Sequence, residues 1–227
     1  MLYEDEKIEE LGIEGLKLIQ SDKLFKYGTD AVLLSKFAKV KKGGEVLDFC
    51  TGSGIIPLLM YVQNKECSFD ALEITEKSSD MARRSMELNG LSDKIKITKG
   101  DVNDARSIYK GRQFDLITCN PPYMDAGGGL VNPDTDKACA RHEIFCTLKD
   151  VIREASHLVR PGGFFAMVHR PRRLTDIMCL MREYKLEPKR LTFVADSPGK
   201  EPDMILIEGQ RCGGKFLKTD ILYLKEN

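Results

Sequence analysis

The sequence predicts an α/β fold built on a largely parallel, doubly wound sheet, and three observations carry that prediction. Short apolar, β-rich runs alternate with longer segments of helical period along most of the 227 residues, the pattern of parallel βαβ units. A glycine-rich turn, Gly52-Ser-Gly54, follows the first strong strand candidate, and further acids stand at the ends of the next two. Late in the chain, two strand candidates are joined only by Asp-Ser-Pro-Gly-Lys-Glu-Pro, a connection that suits an antiparallel hairpin at the end of the sheet.

The elements follow in order. A helical pattern at Thr29–Lys39 precedes a strand at Glu45–Phe49. Pro57 falls in the first turn of the next helix, Ile55–Asn64, where a missing N–H costs little. Strand Ser68–Ile74 leads to helix Glu76–Asn89, and Asn89-Gly90 reads as its C-cap. Strands Lys94–Lys99 and Phe114–Cys119 come next, then helix Leu148–Val159. Pro161-Gly162-Gly163 reads as a tight turn into strand Gly163–His169. Helix Arg172–Tyr184 and strands Arg190–Ala195 and Met204–Glu208 complete the set, with Asp220–Leu224 as a candidate extra strand. The connection Met124–Thr147 is long for a compact domain and contains Gly127-Gly128-Gly129. Loops of that length are usually functional, so a lid hinged at these glycines and ordered by substrate is expected.

Composition narrows the class. Apolar residues make up 42% and charged residues 31%, ordinary for one globular domain. The apolar runs Ile55–Val62 and Gly163–Val168 are far too short to cross a bilayer. The N-terminus, Met1-Leu-Tyr-Glu-Asp-Glu, lacks the basic-then-apolar layout of a signal peptide. A cytoplasmic location is the expectation these features give. None of the seven cysteines (Cys50, Cys67, Cys119, Cys139, Cys146, Cys179, Cys212) forms a C-x-x-C pair, so free thiols and no metal are expected. Lys plus Arg equal Asp plus Glu at 35 each, which weighs against a large nucleic-acid surface. The charge is uneven, however: residues 1–14 hold six acids and one lysine, whereas 151–200 hold ten Lys/Arg and five Asp/Glu. A local basic face remains available.

Chemistry concentrates at the strand ends. Asp48-Phe-Cys-Thr51-Gly52-Ser-Gly54-Ile-Ile-Pro57 places a glycine turn before a helix N-terminus, where backbone can approach a ligand closely. A dinucleotide fingerprint would have a third glycine where Pro57 stands, which disfavours a nicotinamide-dependent oxidoreductase. Glu73, 25 residues after Asp48, can accept from both hydroxyls of a ribose. Asp101, followed by Val102, ends the third strand of the series and can accept from an adenine amino group. Strand Phe114–Cys119 ends in Asn120-Pro121-Pro122-Tyr123. The prolines leave nearby carbonyls free, so Asn120 Oδ1 and the Pro121 carbonyl can grip both hydrogens of one amino group. Tyr123 offers a face for stacking a planar base, worth ~1–3 kcal/mol.

These residues resemble those of S-adenosylmethionine-dependent methyltransferases. Asp48–Gly54 resembles the acid-led glycine turn facing the cofactor's amino acid moiety, with Cys50 where that group usually has glycine. Asn120–Tyr123 resembles the N-P-P-Y signature of amino methyltransferases acting on adenine N6, guanine N2 or glutamine amide nitrogen. Over nearly the whole chain the sequence is most similar to the bacterial tRNA N6-adenine methyltransferases that modify the adenosine beside the anticodon of a valine tRNA. Phe25–Leu34, Ala140-Arg-His-Glu143 and His169-Arg-Pro-Arg-Arg-Leu174 extend the likeness.

The resemblance implies a seven-stranded Rossmann-like methyltransferase fold with a C-terminal antiparallel hairpin, S-adenosylmethionine as cofactor and tRNA as partner. It implies cofactor contacts from Asp48, Thr51, Gly52, Gly54, Glu73, Asp101, Val102 and Asn120, and from Tyr27, Thr29 and Asp30, although Thr29 or Asp30 serves equally well as an N-cap. Asn120, Pro121 and Tyr123 would be catalytic. Tyr123, Arg141, His142, Arg170, Arg172 and Arg173 would face the RNA, with a charged loop and a solvated helix start as the alternatives for the basic residues. Residues 1–44 are expected to pack on and close the cofactor pocket of a domain spanning 45–227, in a monomer. A protein glutamine, a guanine N2 or a small amine is the alternative target, and a non-catalytic RNA-binding module the alternative of another class. Only 44 residues precede Glu45, short of the helical domain that release-factor methyltransferases carry, and neither a duplicated domain nor a target-recognition domain fits.

Overall fold

The computed structural model describes residues 2–24, 26–121 and 146–225. Among these the chain builds β1 (Glu6–Glu10), β2 (Lys17–Ser21), α1 (Thr29–Phe37), β3 (Glu45–Phe49), α2 (Ile55–Gln63), β4 (Ser68–Glu73) and α3 (Glu76–Leu88). There follow β5 (Ile95–Lys99), a 3-10 turn at Val102–Asp104, α4 (Ala105–Ile108), β6 (Phe114–Cys119), α5 (Leu148–Leu158), β7 (Val159–His169), a second 3-10 turn at Pro171–Arg173, α6 (Leu174–Glu183), β8 (Leu186–Ala195), β9 (Met204–Arg211) and β10 (Lys218–Tyr223).

The main sheet has the order β10-β8-β9-β7-β6-β3-β4-β5. β3 pairs parallel with both β4 and β6, and β9 runs antiparallel between β7 and β8, so the expected C-terminal hairpin is present. The direction of the order reverses between β3 and β6, the place where a doubly wound sheet opens a crevice at its carboxyl edge. All six residues of β6 are buried, as in a central strand covered on both faces. Each fully buried Leu, Ile or Phe there contributes about 1.5–3 kcal/mol. One apolar core lies on the α4–α5–α6 face and a second on the α1–α2 face of the sheet.

Three features differ from the expectations. The described main sheet has eight strands instead of the seven the resemblance implies, because the candidate extra strand at Asp220–Leu224 forms, as β10, and adds parallel to β8. Residues 6–21 form an antiparallel hairpin, β1–β2, whose first strand, Glu-Lys-Ile-Glu-Glu, is too polar to read as one. Pro161-Gly162-Gly163 lies inside β7 as an irregularity instead of preceding it: the register jumps from Phe114↔Val159 to Leu116↔Phe164, and Gly162 takes φ +80°.

The hairpin docks on α3. Ile19 N donates to Ser85 Oγ at 3.0 Å, and Asn89 both accepts from Lys17 N and donates to Lys17 O. Arg84 forks onto Glu6 and Asp80 and lies 4.6 Å over the Tyr3 ring. Leu16 and Leu18 join the core formed by α1 and α2, so the N-terminal segment shares the apolar interior of the main sheet. The α3 terminus closes as anticipated, with Gly90 at φ +66° and Leu91 N donating to Met86 O, the 6→1 bond of a Schellman cap.

Candidate functional site: a cluster of acids at the carboxyl edge of the sheet

β3, β4, β5 and β6 run parallel, so the residues at their C-terminal ends converge on one edge. β3 leaves the sheet through a turn in which Cys50, Gly52 and Gly54 have φ of 55°, 56° and 82°. That conformation is easy for glycine and strained for other residues by about 1–3 kcal/mol, which explains why glycine is usual at the Cys50 position. At Gly54 a Cβ would stand 3.0 Å from the Met86 methyl and 3.4 Å from Ala82 Cβ; glycine lets α3 approach the turn. At Gly52 a Cβ would meet nothing within 4 Å, so that side of the turn is open to approach.

The acids are built into this turn. Asp48 is fully buried, and Thr118 Oγ1 of β6 donates to its Oδ1 at 2.6 Å. Among the described residues, Asp48 Oδ2 and Thr51 Oγ1 are buried with no partner at hydrogen-bond geometry. Burial raises the Asp48 carboxyl to about 7; the Thr118 and Thr51 hydroxyls oppose the rise and the charge of Glu73 adds to it. Glu73 is itself nearly buried. Its Oε2 accepts from Gly52 N at 2.9 Å, and its Oε1 from Thr75 N and Oγ1 at 3.0 and 2.9 Å, so Glu73 braces the glycine turn as well as ending β4. Asp101 Oδ1 accepts from Asn103 N at 2.8 Å and caps the 3-10 turn that Val102 begins.

Asn120 is half-buried and Pro121 buried directly after β6. Since Phe49 pairs with Cys119, Asn120 follows the same level of the sheet at which the glycine turn begins. Cys50 hydrogen-bonds with the Cys119 and Cys146 thiols, and the Cys119 contact drives its thiol well above the ordinary range. Burial raises Cys119 also, so these thiols remain protonated and unreactive near neutrality. Cys50 stands out in the sequence by replacing a glycine; its association with Cys146, some 96 positions away by numbering, has no local signal.

The other expected residues divide. Tyr27 OH donates to Glu9 Oε1 of the hairpin at 2.7 Å, and burial, with Glu9, raises the phenol to about 12. Thr29 and Asp30 do not cap α1: Gly28 occupies the N-cap position. Asp30 is buried, accepts from Ala31 N at 2.8 Å, and lies where a Gly28 Cβ would be 2.9 Å from its Oδ1. In the basic segment, Arg170 donates to Asp203 O and Arg173 to Asp176 Oδ2, while Arg172 is exposed. Tyr123, Arg141, His142 and Gly127–Gly129 lie outside the described residues.

The sequence profile of the methyltransferase small domain family matches residues 15–182, about three quarters of the chain. The chain belongs to this family. It is 35% identical over 187 residues to the tRNA1(Val) (adenine(37)-N6)-methyltransferase of Porphyromonas gingivalis strain ATCC 33277, covering 80% of this chain and 72% of that one. The Aeromonas hydrophila enzyme of the same name is 30% identical, with 87% and 81% covered. Among solved structures, a predicted O-methyltransferase from Agrobacterium tumefaciens superposes with a TM-score of 0.70 at 21% identity, covering 87% of this chain and 88% of that one. The Thermus thermophilus 16S rRNA N2 methyltransferase RsmC, solved with AdoMet and guanosine, superposes at 0.66 and 19% identity, with 93% and 52% covered. These likenesses agree with the fold described above.

The protein is thus an S-adenosylmethionine-dependent methyltransferase, and its carboxyl edge fits that cofactor chemically. The cofactor brings an ammonium, a sulfonium and ribose hydroxyls; the site presents two orphaned buried oxygens and three carboxylates. Donors and positive charge on a ligand are what such a set requires.

Proposed function

We propose that the protein methylates the N6 amine of an adenine in tRNA, adenosine 37 of a valine tRNA by similarity to the relatives named above. The observation that carries the reading is that β6 ends directly before Asn120 and Pro121, the start of the sequence Asn-Pro-Pro-Tyr, and pairs with the β3 strand that carries the buried Asp48. Asp48 would take the cofactor's amino acid end, Glu73 its ribose and Asp101 its adenine, with Thr51, Gly52, Gly54 and Val102 forming the backbone cradle. Residues 1–44, through Tyr27, Thr29 and Asp30, would close the pocket over it. When bound, S-adenosylmethionine supplies an electrophilic methyl group.

The chain's own residues orient the amine. Asn120 Oδ1 and the Pro121 carbonyl accept its two hydrogens, drawing the nitrogen lone pair out of conjugation with the ring. Tyr123 stacks on the base, and Arg141, His142, Arg170, Arg172 and Arg173 guide the RNA backbone. The surplus proton leaves to water after the new N–C bond has formed, so no strong base is needed and positioning supplies most of the rate. A base within folded RNA must be turned out of its stack to reach this edge.

The test is radiolabelled methyl transfer to transcribed valine tRNA, followed by nucleoside digestion. Label should appear as N6-methyladenosine with wild type, and Asn120→Ala should lose on the order of 100-fold or more in rate at saturating cofactor. Label in protein, in guanosine, or in no product with any tRNA would overturn the substrate assignment.

A further inference from the structure

β6 is a buried central strand, and its penultimate residue is a threonine among apolar neighbours, Phe-Asp-Leu-Ile-Thr118-Cys. A buried hydroxyl is unfavourable unless it is hydrogen-bonded, and valine would fill the same volume without that demand. Thr118 has a specific partner. It is the register neighbour of Asp48 across the β3–β6 pair, both are fully buried, and Thr118 Oγ1 donates to Asp48 Oδ1 at 2.6 Å. A β-branched side chain is stiff at χ1, so the strand aims that hydroxyl with little freedom. Among the described residues, Asp48 Oδ2 is left buried and without a hydrogen-bond partner.

We infer that Thr118 is a positioning residue for methyl transfer: its hydroxyl engages one oxygen of Asp48, orients the carboxylate, and leaves the other oxygen as the acceptor for the cofactor. The inference rests on the reading that Asp48 holds the cofactor. It also links the two halves of the site, because the strand that orients Asp48 delivers Asn120 two residues later. Other groups face Asp48: Glu73 from β4, whose charge disfavours ionisation, and the Thr51 hydroxyl from the glycine turn; the Cys119 thiol, next along β6, lies on the other face of the sheet but close enough to feel the Asp48 charge. Of these only the two hydroxyls favour the ionised form, and only Thr118 meets hydrogen-bond geometry.

The role makes a prediction that simple core packing does not. A hydrogen bond to the charged form favours ionisation, so removing the donor makes Asp48 harder to ionise and moves the pH dependence of cofactor binding. Calorimetric titration of S-adenosylmethionine between pH 5.5 and 8 would compare wild type, Thr118→Val and Thr118→Ser; the cofactor's own amine titrates identically in all three. Wild-type affinity should rise as pH climbs through the Asp48 transition. Thr118→Val should bind roughly tenfold or more weakly at pH 7, with its midpoint displaced to higher pH, and Thr118→Ser should restore both. Should the valine protein fail to fold, Thr118→Cys keeps the volume with a much weaker donor and should show the same displacement.

A folded valine or cysteine variant with the wild-type affinity and midpoint overturns the inference, as does a serine variant that rescues neither. Wild type that binds no cofactor at any pH overturns the assignment of Asp48 itself. That outcome is distinct from a wild type that binds normally beside an unaltered Thr118 variant.

Discussion

Asp48→Asn should stabilise the cofactor-free protein above neutral pH while removing its cofactor affinity. The carboxyl ordinarily titrates at 3.8 and is raised to about 7 by burial in the folded chain. A group whose folded pKa lies above its unfolded value contributes stability that is fully present below the unfolded value and is lost as pH rises through the folded one. For Asp48 that window runs from 3.8 to about 7. At about 1.4 kcal/mol per pH unit, ionised Asp48 weakens the fold at pH 8 by on the order of 4 kcal/mol relative to its protonated form. Asparagine abolishes this term and can still accept from the Thr118 hydroxyl. Its amide would occupy the place of the unpartnered Oδ2, and burying that donor without an acceptor costs about 1–3 kcal/mol. The net expectation is a gain of about 1–3 kcal/mol at pH 8 that vanishes or changes sign near pH 4. Urea unfolding of both proteins at several pH values measures it directly. An Asp48→Asn protein that is less stable than wild type at pH 8, or a difference independent of pH, would refute the reasoning.

Two substitutions in the same turn test its backbone. Gly54→Ala must hold a side chain at φ 82° and 3.0 Å from the Met86 methyl; a loss of about 2 kcal/mol is expected, read by thermal denaturation, and a loss below about 0.5 kcal/mol would contradict the geometry. Cys50→Gly relieves a left-handed non-glycine residue at φ 55°, against the greater chain entropy of glycine. A gain of about 0.5–1 kcal/mol is expected in urea unfolding, with cofactor affinity unchanged or improved; a loss above about 1 kcal/mol would mean that the Cys50 thiol's contacts with Cys119 and Cys146 outweigh the strain.

Much of the parallel half of the sheet could be read from local pattern. Glu45–Phe49 and Phe114–Cys119 match their strands residue for residue, because strands buried on both faces are continuous apolar runs bounded by turn chemistry. The α3 terminus was equally plain, since Asn89-Gly90 carries its own conformational requirement. Elements stabilised by distant partners were harder. β1 is held by pairing with β2 and by Arg84 of α3 and bears no alternating apolar face; β10, read only as a candidate extra strand at Asp220–Leu224, is held by its ladder to β8. The start of β8 at Leu186 instead of Arg190 reflects the same dependence, since pairing with β9 extends the strand through Pro188 and a register shift.

The site divides in the same way. Which residue types stand at the strand ends, Asp48, Glu73, Asp101 and Asn120, is a property of the chain, as are the glycines that only a left-handed turn requires. Their convergence follows from parallel strand order, which the alternating pattern implies. What those side chains do to one another was decided by tertiary structure. That Thr118 occupies one oxygen of Asp48, that Glu73 supports the turn through Gly52, that Asp30 sits against Gly28 without capping α1, and that Cys50 meets Cys146 all depend on register and burial. Hydrogen bonds between residues some 70 positions apart leave no periodic trace, because the sequence specifies which faces are buried, and only packing then selects which polar atoms within those faces are left to find each other.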